Sequence, residues 1–183
     1  MIVARCGALA ESLSVGPGIE RRDFGANMGA TISDGQRDRA EGLVAGAERD
    51  GAQIVTGGHR LNTPGAFLAP TVLKDVTPDM HISGTEVFGP MLSVMKTDTE
   101  DQALGIANGT EYGLVGGIFT ADIDAAHRAA RHSRAGQIFI NEWFAGGVET
   151  PFGGFGKSGY GREKGREALG NYLQTKNIAY RTR

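Results

Sequence analysis

With 183 residues, 22% of them charged, and a formal net charge of −2, the chain is long enough to bury one real core and makes no broad electrostatic case for nucleic acid or an anionic membrane. A single cysteine, Cys6, excludes an internal disulfide and fits a reducing compartment, and the scattered histidines supply no metal-ligand set. No apolar run opens the chain, and none approaches the roughly 18 residues a membrane span needs, so a cytoplasmic protein is expected.

Residues Arg5 to Leu13 read as the tail of a helix, since Ala, Leu and Glu favour one, and Met1 enters that pattern with no capping residue ahead of it. Val15 to Gly18 ends the helix, and a polar loop runs on to Thr31. Ser33 is the expected N-cap of a helix through Arg49, with Ala40, Leu43, Val44 and Ala47 on one stripe. Gly51 stops it; Ala52 to Thr56 is an expected strand and Gly57-Gly58 a turn. An extended segment follows from Ala66 to Val76, where Pro70 predicts an edge strand or a bulge.

The second half alternates regularly. Met91 to Met95 is a strand, and Thr97-Asp98-Thr99-Glu100 has the spacing of a capping box before a helix to Asn108. Leu114 to Phe119 is the next strand. Asp122 to Arg134 is a helix with an alanine face, closed by Gly136, and Gln137 to Asn141 is a third strand. Arg162 to Thr175 reads as a helix and Asn177 to Arg181 as a terminal strand. The alternation predicts an α/β fold, a mostly parallel sheet with flanking helices. Ligands of such sheets bind beyond the carboxyl ends of the strands, which points to the segment from Glu142 onward.

That segment runs into Glu149 to Gly165, where Phe152, Phe155 and Tyr160 are spaced among glycines. It is not a P-loop, because Pro151 stands where the first glycine belongs. Gly154 to Gly159 matches G-x-G-x-x-G, but no strand precedes it and Asn171 to Tyr180 contains no acidic residue. A small nucleotide-binding module on Gly154 to Gly159 is the weaker reading; by composition alone a structural glycine loop is favoured, and the aromatic rings among the glycines suit a backbone that shapes a pocket. A second motif, Thr85-Glu86-Val87-Phe88-Gly89-Pro90, sets a carboxylate beside a ring. Such a pair suits a vicinal diol and a flat heterocycle, or is simply a surface acid next to a core residue.

Taken in order, Gly57-Gly58, Pro70 to Leu73, Asp75 to Met80, Glu86 to Pro90, Ala107-Asn108, Tyr112 to Leu114, Ile140-Asn141, the glycine stretch and Lys176 to Ile178 resemble the NAD(P)-dependent aldehyde dehydrogenase superfamily, specifically its C-terminal third. In that family a cysteine thiolate attacks the aldehyde, hydride passes to the nicotinamide, and a glutamate-activated water releases the acid. The resemblance implies that Glu86 hydrogen-bonds the nicotinamide ribose of NAD or NADP and that Phe88 packs near the nicotinamide. It implies that Phe152 lines the tunnel for a small-molecule aldehyde, and that Trp143 and Phe144 lie in the segment that shapes specificity.

The resemblance also implies what the chain does not carry. Nothing matches the nucleophile motif Gly-Gln-x-Cys, and Cys6 lies in a helix the family places after the nucleophile. The water-activating glutamate motif and the dinucleotide-binding domain are expected to lie N-terminal to this segment. The expected organisation is a catalytic-domain part over 1–170 and a C-terminal oligomerisation segment over 171–183. The isolated chain is expected to be inactive and to join copies of itself or full-length relatives. The alternative is a non-catalytic assembly or regulatory partner of such relatives.

Overall fold

The computed structural model describes residues 1–18, 27–144 and 146–183. Most of the polar loop expected before Thr31, residues 19–26, lies outside the described residues, as does Ala145 of the segment after Phe144. The chain divides into two compact units, Met1–Thr97 and Asp98–Arg183.

The first unit opens with α1 (Ile2–Ser12), whose N-cap Met1 makes no side-chain capping bond. Two short strands, β1 (Ser14–Val15) and β2 (Asn27–Met28), pair in parallel. α2 (Asp34–Arg49) starts as expected at Ser33, which accepts from the Gln36 amide. Its stripe buries Ala40, Val44 and Ala47, with Leu43 half-buried beside them. Chain reversal at Gly51 leads into β3 (Gln53–Thr56).

β4 (Thr71–Lys74) is the central strand of a three-stranded sheet in the order β3-β4-β5, antiparallel to β3 and parallel to β5 (Met91–Ser93). This corrects the edge-strand expectation. Pro70 precedes the first paired residue, so its missing N–H removes no ladder bond. The bulge lies on β3 instead, where register shifts between Ile54 and Thr56. The Val55 side chain approaches Gly7 of α1, where an added Cβ would lie 2.9 Å from it. Gly57 cannot be replaced: its φ is +77°, and a Cβ would lie 2.2 Å from the Pro70 carbonyl oxygen. Val44, Ala47, Ala52, Leu73, Val76, Met80 and Ile82 form the core of this unit.

The second unit contains α3 (Glu100–Ala107), β6 (Val115–Ile118), α4 (Ile123–His132) and β7 (Gln137–Ile140), with β6 and β7 parallel. The cap of α3 is Thr99, not Thr97: Thr99 accepts from the Gln102 amide, and Gln102 Oε1 accepts from the Asp98 amide at 3.0 Å. The capping bond therefore starts two residues later than expected, and Gln102 reaches back to the amide before the cap rather than to that of Thr99. β5 and β6 belong to different ladders, so the expected single strand-helix run is divided among small sheets.

Two further expectations fail. Residues 162–175 form no long helix but a 3-10 helix at Arg166–Tyr172, none of it buried. Gly161 and Gly165 hold positive φ, and Phe152 and Glu163 form an antiparallel bridge, so the start of this stretch is extended rather than helical. Residues 177–181 pair with no strand among the described residues. A strand is stabilised by its ladder partner, and β-propensity alone does not make one. No helix among the described residues is long and apolar enough to cross a membrane.

Candidate functional site

In the first unit, Glu86 and Phe88 sit on the loop between the 3-10 helix His81–Gly84 and β5. Side chains alternate: Val87 packs against the core, Glu86 is exposed, and Phe88 is 74% exposed. Phe88 holds φ +52°, a left-handed conformation that costs an ordinary residue about 1–3 kcal/mol. Two α2 side chains keep it there. Gln36 Nε2 donates to the carbonyls of Val87 (2.5 Å) and Phe88 (3.0 Å). Arg39 Nη1 and Nη2 both donate to the Glu86 carbonyl at 3.2 Å, and Nη1 also reaches the Val87 carbonyl at 3.0 Å. With its main chain tied down, the loop offers a carboxylate and a ring face to solvent.

In the second unit, Trp143 and Phe144 lie just past β7. Phe144 and Asn141 both hold positive φ, +60° and +55°, so the chain turns sharply between them. The buried Phe139 ring anchors the turn, 5.9 Å from the Trp143 centroid and 5.9 Å from that of Phe144. Trp143 and Phe144 meet edge to face at 5.6 Å, yet remain 55% and 65% exposed. An added Cβ on Gly117 of β6 would lie 2.8 Å from the Trp143 ring, so the indole rests on bare backbone.

Phe152 is half-buried and held separately from that turn. Its amide and carbonyl bond those of Glu163, both at 2.7 Å, and the Lys164 ammonium lies 5.5 Å from its ring centroid. The glycine stretch folds back on neighbouring backbone. Phe155 N–H donates to the Gly113 carbonyl and Lys157 N–H to the Glu111 carbonyl, both at 2.8 Å. A Cβ on Gly136 would lie 1.7 Å from the Gly153 carbonyl oxygen, an approach only glycine permits. Arg162 Nη1 donates to the Gly154 and Gly161 carbonyls, at 3.2 and 2.6 Å. Glu111 pairs with Lys157 at 2.7 Å, and that hydrogen bond raises the Lys157 pKa.

These bonds tell against phosphate binding on Gly154 to Gly159. A phosphate cradle needs free amides. Here the amides of Phe155, Lys157, Ser158 and Gly159 all donate to carbonyls of the chain itself. Ser158 Oγ is engaged as well, accepting from the Gly113 amide at 3.1 Å.

Open concavities among the described residues lie elsewhere. An apolar groove of about 280 Å³ is lined by Cys6, Leu9, Leu13, Met28, Met91 and Leu92 among others. A polar one of about 480 Å³ is lined by Thr99, Glu100, Asp101, Leu104, Arg128 and His132. Neither includes a residue of 142–165.

The sequence profile of the aldehyde dehydrogenase family matches residues 1–178. This chain belongs to the aldehyde dehydrogenase family. Betaine aldehyde dehydrogenase of Cereibacter sphaeroides is 37% identical over 176 residues, covering 96% of this chain and 36% of that protein. Mitochondrial aldehyde dehydrogenase of Leishmania tarentolae is 39% identical over 181 residues, covering 99% of this chain and 36% of that protein. The NAD+ complex of aldehyde dehydrogenase from Bacillus cereus superposes with a TM-score of 0.87 at 34% identity, over 94% of this chain and 35% of that one. The chain thus spans 36% of the length of these two curated relatives.

No sequence motif marks Gln36 and Arg39, the two side chains that hold the Glu86 loop. Their only signal is position: they flank Ala40, which is fully buried, on the core-facing edge of α2. Phe139 lies inside β7, and its role as the anchor of Trp143 and Phe144 emerges only from ring packing.

Proposed function

We propose that this chain is the C-terminal third of an NAD(P)-dependent aldehyde dehydrogenase, with part of the catalytic domain over 1–170 and an oligomerisation segment over 171–183. The reading rests chiefly on the Glu86 loop, an exposed carboxylate and an exposed ring on a backbone clamped at three successive carbonyls. The donor set fits a nicotinamide riboside. The Glu86 carboxyl oxygens are placed to accept hydrogen bonds from a vicinal diol, and the Phe88 face to pack on a flat ring. When bound, the dinucleotide supplies the hydride acceptor for aldehyde oxidation. Support for NAD+ as a cofactor comes from the Bacillus cereus neighbour, solved as an NAD+ complex.

Phe152, Trp143 and Phe144 are assigned to the aldehyde. Their rings offer apolar surface, and the left-handed turn fixes where Trp143 and Phe144 stand. No nucleophile is assigned in this chain. Cys6 is half-buried on α1 and lines the apolar groove, as a small apolar residue does. The purified chain alone is expected to produce no NADH from aldehydes; grafted in place of the matching third of a full-length relative, it is expected to complete an NAD+ site, and Glu86→Gln to weaken NAD+ binding there. Binding untouched by Glu86→Gln would remove the cofactor assignment. Turnover abolished by Cys6→Ser would make Cys6 the nucleophile.

A second reading, a non-catalytic partner of full-length relatives, draws on the C-terminal segment. Leu173, Ile178 and Tyr180 there are 71%, 78% and 85% exposed. Strand addition to another copy is one way to cover such a segment. Failure to form mixed oligomers on co-expression with a full-length relative would end that reading.

A further inference from the structure

We propose that Gly117 is a positioning residue for substrate specificity, the floor of a socket that sets where the Trp143 indole stands. The proposal rests on the assignment of Trp143 and Phe144 to the aldehyde. Its own basis lies in the β6–β7 ladder. Gly117 and Phe139 are register partners on parallel strands, so their side-chain positions face the same side of the sheet. Phe139 fills its position with a buried ring, whereas Gly117 leaves its own empty.

The indole takes that space. A Cβ built on Gly117 would lie 2.8 Å from Trp143 Cζ3 and 3.1 Å from Cε3. The Phe119 ring comes within 3.5 Å of the same point at its Cε2. Phe139 meets the indole at 61°, with ring centroids 5.9 Å apart. Phe139 and Phe119 thus border the socket, and the bare backbone of Gly117 sets its depth. A side chain at 117 pushes the indole outward. Gly117 and Trp143 are both exposed, so the ring can move without unfolding the strands beneath it. Gly117 need not touch the aldehyde; it acts through the place it gives Trp143.

Trp143 is the single tryptophan of the chain, so its fluorescence reads the socket directly. In the whole chain, Gly117→Ala is expected to shift the emission to longer wavelength and to raise its quenching by acrylamide. Gly116→Ala is the control. Its methyl meets Ile138 Cδ1, also at 2.8 Å, on the opposite face of β6, and is expected to leave the emission unchanged. Unchanged emission and quenching in Gly117→Ala, or an equal change in Gly116→Ala, overturns the socket. If Gly117→Ala fails to fold, adding Trp143→Ala decides. Recovery of the fold, read by circular dichroism, supports a clash at the indole, and no recovery overturns it.

Specificity is read in a chimaera that carries this chain in place of the matching third of the Cereibacter sphaeroides relative, with betaine aldehyde as the probe. Gly117→Ala is expected to raise KM about tenfold with kcat nearly unchanged, as loss of a binding contact does, and to add nothing in a Trp143→Ala background. Unchanged KM in Gly117→Ala, where Trp143→Ala does change it, overturns the positioning role. So does an effect of Gly117→Ala that persists without the indole. If Trp143→Ala itself leaves KM intact, the aldehyde assignment falls, while the fluorescence change in Gly117→Ala still identifies what seats the ring.

Discussion

Asn141 pairs with Thr120 as a strand backbone would: its Oδ1 accepts from the Thr120 amide at 2.8 Å, and its Nδ2 donates to the Thr120 carbonyl at 2.8 Å. The side chain thus extends the β6–β7 ladder by one rung while its own backbone turns away at φ +55°. Asparagine tolerates that conformation better than most residues. Asn141→Ala is expected to lose both bonds and add strain, destabilising the chain by about 2–3 kcal/mol in urea unfolding. Asn141→Gly loses the bonds without the strain and should fall between the two.

Glycine substitutions should split by location. Gly136→Ala places a methyl group on the Gly153 carbonyl and is expected to abolish the folded second unit, read as lost Trp143 fluorescence structure. Gly42, inside α2, is exposed and has nothing within 4 Å of an added Cβ. Gly42→Ala should stabilise the chain by about 0.5–1 kcal/mol, measured by thermal or urea unfolding.

Asp122 caps α4, accepting from the amides of Ala125 and Asp124. The Ala125 bond foremost, with the Asp124 bond and Arg128 assisting, lowers its pKa below the ordinary aspartate value. A carboxylate lowered on folding stabilises above its unfolded pKa, about 3.9, and that contribution is lost as pH falls through the folded value. Stability measured downward from pH about 5 should therefore drop less in Asp122→Asn, whose amide oxygen still caps but does not titrate across this range.

Leu73 is fully buried at the centre of the first unit's core. Leu73→Ala is expected to cost about 2–5 kcal/mol in urea unfolding, a cavity effect with no polar component. A cost under about 1 kcal/mol would mean the surrounding side chains collapse into the space.

Within the second unit, Ala126 and Phe139 are the buried apolar residues among those described, whereas Phe119, Val148, Tyr172 and Leu173 are each at least 69% exposed. Such surface usually marks an interaction face. The isolated chain should bind an apolar-surface dye and self-associate on dilution from denaturant. A monomer with a sharp transition and no dye binding would contradict this.

Local signals were the legible part of the sequence. Ser33 and the stripe of α2 follow from capping chemistry and apolar spacing, and the structure agrees with both; the strands lie where apolar runs place them but end one or two residues sooner, at Lys74, Ser93, Ile118 and Ile140. Thr97 misled because two threonines two residues apart both fit a cap, and only packing chooses Thr99. Pro70 misled because its missing donor matters only if the residue is paired. Residues 162–175 misled because helix-favouring side chains there have no surface to bury. The bonds from Gln36 and Arg39 to residues 86–88 span about fifty positions of sequence, and no local pattern announces them.

The crowding at Gly136 and Gly153 has a bearing on how this region can change over time. A directed-evolution library spread evenly across 136–165 would waste its members at positions where any side chain meets a carbonyl. The same library confined to Trp143, Phe144 and their neighbours samples rings that are half or more exposed on an already fixed turn. Accepted changes are therefore expected to accumulate in the aromatic turn, while the glycine frame around Phe152 stays closed to single substitutions.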